Sequence, residues 1–255
     1  MLDFNIIKLI TCISGLSLLL SASSANLTVY AENSHLDKPK TIFSPPQIKQ
    51  RGKDITVKVI STQFLGSGIL LKRTDNIYRI LTNAHVLAAD EPPYQIVTPD
   101  GKVHQAEVLK NPDLEKYDLA MLEFSSNENY AVAVIGDKPK TGDEVFVVGF
   151  PINQENSEVE EFTLTTGKIA LILDKALEKG YQIGYTNQLD KGMSGGALLN
   201  QQGELVGVNG MHAYPIWDVP SIFIDGTPAA DTLHQKIIRL SWAVPINKLK
   251  PNDKK

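Results

Sequence analysis

The sequence predicts an all-β chain of two packed six-stranded antiparallel barrels, finished by a short C-terminal helix. Three observations lead there. Short apolar runs of β type recur from residue 55 to residue 244, each broken by turn residues. They fall into two sets of six, divided near Thr141-Gly142-Asp143. Helical periodicity is scarce, which argues against a layered α/β sheet.

Taken from the N-terminus, the chain first carries what reads as an export signal over residues 1–25. Lys8 supplies a positive charge, residues 9–20 are mostly apolar, and Ser21-Ala22-Ser23-Ser24-Ala25 offers small residues for cleavage. Cleavage after Ala25 fits, and Val29-Tyr30-Ala31 is a second candidate. The apolar stretch falls well below the roughly 20 residues a spanning helix needs. A secreted or periplasmic protein is therefore expected, without stable membrane association once the signal is removed. The single cysteine, Cys12, lies in that signal. The exported chain then has no disulfide and must rely on core packing, which 255 residues at 42% hydrophobic content permit. Residues 26–53 are polar, include Pro39, Pro45 and Pro46, and read as a linker or surface arm.

The first barrel is expected over 54–140, with strands at 55–62, 64–71, 77–82, 94–97, 103–109 and 119–124. Asp100-Gly101 marks a hairpin turn between two of them. The second barrel is expected over 141–255, with strands at 144–150, 161–171, 181–185, 197–199, 204–209 and 241–244, and Gln202-Gly203 turning between the fourth and fifth. Short helices are expected at 173–179 and 232–240, and a terminal one from Ile246.

Chemistry concentrates in three places. His85 ends the third strand, Asp118 opens the sixth, and Ser194 sits in Gly192-Met193-Ser194-Gly195-Gly196. Serine is a poor nucleophile near neutral pH. It needs a base to take its proton and a third group to hold that base in one tautomer. An imidazole suits the first role, and a carboxylate where a core begins needs a partner. Glycines around Ser194 permit a sharp turn that aims successive N–H groups at one point, as a developing oxyanion requires. The backbone N–H groups of Gly192 and Ser194 are the candidates. Each feature alone has a bland explanation: a structural histidine, a strand-start cap, a glycine-rich hairpin. Together, in the order His, Asp, Ser, they form one of three known orders for a catalytic triad.

The segments Thr82-Asn83-Ala84-His85, Tyr117-Asp118-Leu119-Ala120 and Gly192-Met193-Ser194-Gly195-Gly196 resemble the signatures of chymotrypsin/trypsin-fold serine peptidases. Gly66-Ser67-Gly68 and Val147-Val148-Gly149-Phe150-Pro151 are similar to the bacterial, disulfide-free branch. The resemblance runs from about residue 55 to 249. It implies a chymotrypsin-like double barrel with the site between barrels, polypeptide substrates, and no metal or cofactor. Met193 stands where animal trypsins have an aspartate that captures a new N-terminus, so no zymogen switch of that kind is expected. Only a short stretch follows the last strand, so a peptide-binding domain of the kind found in HtrA-type enzymes is not expected. By the same resemblance Gln188 stands at the base of the substrate pocket, where an aspartate would select Arg or Lys. His212 either lines the pocket wall, favouring acidic side chains, or is a loop histidine. His104 and His234 read as surface residues. Residues 213–240 are longer than the family needs, and read equally as a lid or as an apolar cluster covering a barrel end.

Net charge is −4 and no basic tract stands out, which argues against nucleic acid as a partner. The histidines show no metal-ligand spacing with Asp or Glu. Two rivals remain. Gly192-x-Ser194-x-Gly196 formally matches an esterase nucleophile elbow, with Asp218 and His234 as nominal partners, but that elbow needs a helix directly after the serine. Residues 197–203 read as strand and turn. A catalytically inactive binding module on the same fold is the other, since fold does not settle function.

Overall fold

Residues 41–249 of the computed structural model, other than 115, 154–157, 160 and 215–219, form twelve strands, three α-helices and two 3-10 turns. By contacts the chain divides into Met1–Pro39 and Lys40–Lys255. The first unit, with the expected signal and its cleavage points, lies outside the described residues; both barrels belong to the second.

Strands β1 (Thr56–Ile60), β2 (Phe64–Thr74), β3 (Ile77–Thr82), β4 (Tyr94–Val97), β5 (Val103–Leu109) and β6 (Ala120–Ser125) close one barrel in the order β1-β2-β3-β6-β5-β4. Strands β7 (Glu144–Gly149), β8 (Thr163–Ile172), β9 (Ile183–Tyr185), β10 (Ala197–Leu199), β11 (Leu205–Met211) and β12 (Ser241–Pro245) close the other in the order β10-β11-β12-β9-β8-β7. Every strand expected from the sequence is present. The turn at Asp100-Gly101 joins β4 to β5, with Gly101 at φ 83° and its N–H on the Thr98 carbonyl at 2.8 Å.

Alternation along each strand decides what each barrel encloses. In β2, Leu70 points into the first barrel, whereas Ile69 and Leu71 join a cluster shared with the second. In β7, Val145 and Val147 fill the second barrel, while Phe146 and Val148 enter the shared cluster. A period of two sends successive side chains to opposite faces. Strands with apolar residues at both parities therefore pack on both sides and dock the barrels. Each such side chain contributes about 1.5–3 kcal/mol when fully buried.

The arm expected over 26–53 is different in its described part. Residues Pro45–Ile55 form helix α1. Pro45 and Pro46 open it, since a missing N–H costs nothing in a first turn and the fixed φ suits a helix. Gln47 Oε1 accepts the Ser44 N–H at 2.9 Å. Ile48, Gly52 and Ile55, spaced four and three apart, are buried on one face. A Cβ on Gly52 would lie 2.9 Å from Val148 Cγ1, so the helix rides directly on β7.

The helix expected at 173–179 is not formed. Its backbone pairs outward instead: Glu178 N–H reaches the Ile222 carbonyl at 2.9 Å, and Leu177 N–H the Tyr181 carbonyl at 2.8 Å. Only a 3-10 turn remains at Glu178–Gly180. The second expected helix is α3 (Asp231–Ile237), and the terminal one shrinks to a 3-10 turn at Ile246–Lys248.

Candidate active site

Register brings His85 and Asp118 together. Strands β3 and β6 are antiparallel neighbours with Thr82 opposite Ala120. Three residues past Thr82 and two before Ala120 leave the same end of the sheet. Asn83 then starts the single helical turn α2 (Ala84–Leu87), which carries His85, and donates its amide to the Asp118 carbonyl at 2.7 Å.

Asp118 is 3% exposed, yet its carboxylate is fully engaged. Oδ1 accepts the His85 backbone N–H at 2.9 Å, and Oδ2 lies 2.5 Å from His85 Nδ1. The Tyr181 hydroxyl donates to the same Oδ2. Burial works to raise the Asp118 pKa; the His85 hydrogen bond and charge, the Tyr181 hydroxyl and the His85 N–H outweigh it, so the carboxyl stays below its ordinary value. Tyr181 moves the opposite way. Burial and then the Asp118 charge push its phenol well above the usual range, so it remains a neutral donor. An ionised carboxylate only accepts, which assigns the His85 proton to Nδ1 and leaves Nε2 as an acceptor.

Ser194 sits on the second barrel, three residues before β10, in a turn that only glycines allow. Gly192 has φ +92° and Gly195 φ +82°. A Cβ on Gly192 would approach the Phe150 carbonyl to 2.6 Å, and one on Gly195 would overlap the Ser67 carbonyl oxygen. Ser67, on β2 of the first barrel, staples this turn. Its N–H donates to the Ser194 carbonyl at 2.9 Å, and its hydroxyl to the Gly192 carbonyl at 2.9 Å. The same hydroxyl accepts the Phe150 N–H at 3.0 Å.

Within the turn the N–H groups divide by role. Met193 N–H is committed to the Asp190 carbonyl, Gly195 to Asn209, and Gly196 to Met193. Those of Gly192 and Ser194 make no backbone hydrogen bond among the described residues. His85, Asp118, Gly192 and Ser194 line one cleft of about 1450 Å³.

Gln188 and His212 line that cleft too, and both are exposed. The Gln188 amide donates to Asp190 at 2.8 Å. His104 and His234 are half-buried rather than free surface residues. His104 packs 4.7 Å from the Phe124 ring, and His234 Nδ1 pairs with the Ser221 hydroxyl at 2.9 Å. As far as it is described, the 213–240 stretch contributes both to the core and to the lining of the cleft. Phe223, Ala229, Leu233 and Leu240 pack on the shared cluster, while Tyr214, Pro220 and Ile222 face the cleft. Asp218 lies outside the described residues. The esterase alternative fails on local structure: strand β10, not a helix, follows the serine turn.

Sequence reading missed Tyr181 and the stapling role of Ser67. Nothing in the spacing of either points to Asp118 or to the serine turn.

A family profile described as a trypsin-like peptidase domain matches residues 66–208, more than half the chain and inclusive of His85, Asp118 and Ser194. The chain belongs to the trypsin-like peptidase family. This trypsin-like domain is 30% identical over 156 residues to Serine protease Do-like HtrA of Bacillus subtilis (strain 168), covering 57% of this chain and 33% of that protein. It is 30% identical over 147 residues to the periplasmic pH-dependent serine endoprotease DegQ of Escherichia coli (strain K12), covering 57% of this chain and 30% of that one. The chain thus spans about a third of the length of these relatives. A crystal structure of the serine endoprotease from Yersinia pestis superposes with a TM-score of 0.58 at 24% identity, over 81% of this chain and 64% of that one. At that identity the likeness speaks to the fold, and the fold is a chymotrypsin-like double barrel.

Proposed function

We propose that the protein is an exported serine endopeptidase that cleaves polypeptides through an acyl-enzyme. The observation that carries this reading is the convergence in one cleft of a histidine fixed by a buried carboxylate and a serine whose turn keeps two N–H groups uncommitted.

Ser194 Oγ attacks the scissile carbonyl carbon as its proton passes to His85 Nε2. Asp118 holds the imidazole in the required tautomer and stabilises the imidazolium. The carbonyl oxygen becomes an oxyanion between the Gly192 and Ser194 N–H groups, each such donor being worth about 3–4 kcal/mol when removed. Collapse breaks the C–N bond, and the proton on Nε2 leaves with the amine. Water then attacks the ester, giving its proton to His85, and the acid is released with Ser194 restored. No metal or cofactor enters these steps, and nucleic acid is not a partner. At the specificity pocket a neutral Gln188 offers no charge to a cationic side chain, while His212 favours acidic ones. Export rests on residues 1–25 and accords with the periplasmic relative, DegQ. Among the described residues no helix is long and apolar enough to cross a membrane.

A fluorophosphonate probe tests the reading. It should label the wild type at Ser194 and not Ser194→Ala, whose turnover should fall by roughly 10⁶-fold with the fold retained. Folded wild type that resists labelling would leave a non-catalytic binding module in place of the enzyme.

A further inference from the structure

Asp118 belongs to the first barrel, but part of what holds it comes from the second. The connection between β8 and β9 clasps the segment around it. Asp118 N–H donates to the Lys179 carbonyl at 2.7 Å, and a Cβ on Gly180 would come within 2.5 Å of the Tyr117 ring. At the end of that connection Tyr181, 5% exposed and packed in the shared cluster, directs its hydroxyl onto Asp118 Oδ2. His85 takes one side of the carboxylate through two donors; Tyr181 takes what is left.

Gly210 on β11 is the counterpart. A Cβ there would overlap the Tyr181 hydroxyl and lie 2.9 Å from Asn83 Oδ1. The phenol occupies the room that a side chain at 210 would take. The connection is itself braced from outside, by Ile224 N–H on the Ala176 carbonyl at 3.0 Å and a bridge between Leu177 and Phe223. Part of the 213–240 stretch thereby supports the clasp.

We propose that Tyr181 is a positioning residue of the peptidase reaction, fixing the Asp118 carboxylate so that it holds His85 in the productive orientation, with Gly210 kept small to admit its hydroxyl. This rests on the serine-peptidase reading above. A buried phenol has no water to turn to, so its donor and the carboxylate satisfy each other. The Tyr181 donor thus restrains the plane in which the two carboxylate oxygens meet the two His85 donors. The titratable groups around it are His85 from α2 and Tyr181, with Tyr185 of β9 interacting with Tyr181; Lys179 contributes a carbonyl.

Tyr181→Phe keeps the ring and removes the donor. We expect kcat on a peptide substrate to fall about tenfold, with KM within twofold of wild type. The acid limb of the kcat/KM profile should move to higher pH, because a carboxylate relieved of one donor stabilises the imidazolium more. A packing defect would lower the melting temperature without moving that limb. In the double variant Tyr181→Phe/Gly210→Ser a hydroxyl returns near the vacated spot, while the new Cβ pushes on Asn83, so the acid limb rather than kcat reads the restored donor and should return to its wild-type position. If the single variant does not fold, the double variant carries the test: an acid limb at the wild-type position supports the proposal, and one displaced to higher pH in folded protein overturns it. A folded Tyr181→Phe with wild-type kcat and acid limb overturns it outright. Fluorophosphonate labelling of wild type separates the two readings. If labelling succeeds, an unchanged Tyr181→Phe sinks only the role of Tyr181; if it fails, the peptidase reading itself is lost.

Discussion

Replacing Asp118 by Asn tests the chemistry without removing any volume. The carboxylate accepts three hydrogen bonds: the His85 N–H at 2.9 Å, His85 Nδ1 at 2.5 Å, and the Tyr181 hydroxyl. An amide has one carbonyl oxygen and one NH2 group. With its oxygen kept on the His85 backbone N–H, the NH2 faces Nδ1. Turned over, the NH2 would meet that backbone N–H donor to donor, leaving a buried group unpaired at about 1–3 kcal/mol. In the first orientation the Tyr181 hydroxyl, which otherwise donates to Oδ2, can rotate and accept from the NH2, a change of role that no backbone N–H can make, so that orientation is favoured. Nδ1 must then accept, the imidazole proton moves to Nε2, and on the proposed mechanism Nε2 can no longer take the Ser194 proton. Loss of the right tautomer in a triad lowers kcat by about 10⁴, equivalent to about 5.4 kcal/mol of transition-state stabilisation. Steady-state cleavage of a peptide at pH 7 measures it, with a thermal melt to establish folding. A folded Asp118→Asn enzyme within about a hundredfold of wild type would refute the tautomer argument.

Three further outcomes are expected. Gly195→Ala combines a φ of +82° with a Cβ that overlaps the Ser67 carbonyl oxygen, whereas Gly101→Ala has a φ of +83° and open space; urea unfolding should show a loss of about 3 kcal/mol for the first and about 1 kcal/mol for the second. Ile48→Ala should cost about 3 kcal/mol in the same assay, since Ile48 is fully buried on α1; a loss below about 0.5 kcal/mol would mean the helix is not part of the core. Asp118 also couples stability to pH. Its folded pKa lies below the ordinary 3.8, so on acidification the unfolded chain takes up the proton first. The stability this group confers is whole above that value and disappears as pH drops through the lower, folded one. Urea midpoints from pH 6 down to pH 2 should fall less steeply for Asp118→Asn than for wild type, and parallel slopes would contradict it.

Strand placement was readable because alternation in this chain is strong where barrels close. Val57 and Val59, or Val145 and Val147, mark an interior face without help from tertiary context. Helix α1 was hidden for a particular reason. Pro45 and Pro46 are equally good linker residues and helix starters, and only the burial of Ile48, Gly52 and Ile55 decides between them. At 173–179 the error ran the other way, because helical spacing says nothing about the neighbouring 221–225 backbone that offers better partners. His85, Asp118 and Ser194 stood out through local context, each beside an apolar strand or between glycines. Tyr181 carries no such mark, and the glycines on either side of Ser67 do not say what its hydroxyl meets. A tyrosine before a strand and a serine within one are ordinary, and their importance comes from a contact across the two halves of the fold.

Ser67 bridges to the serine turn from the opposite barrel, just as Tyr181 reaches back to Asp118. Under the peptidase reading, neither half alone is a weapon. A nascent chain with one barrel closed has either the base or the nucleophile but not the joined pair. On that reading, a molecule would be unable to digest its unfolded siblings until both of its barrels had closed and docked.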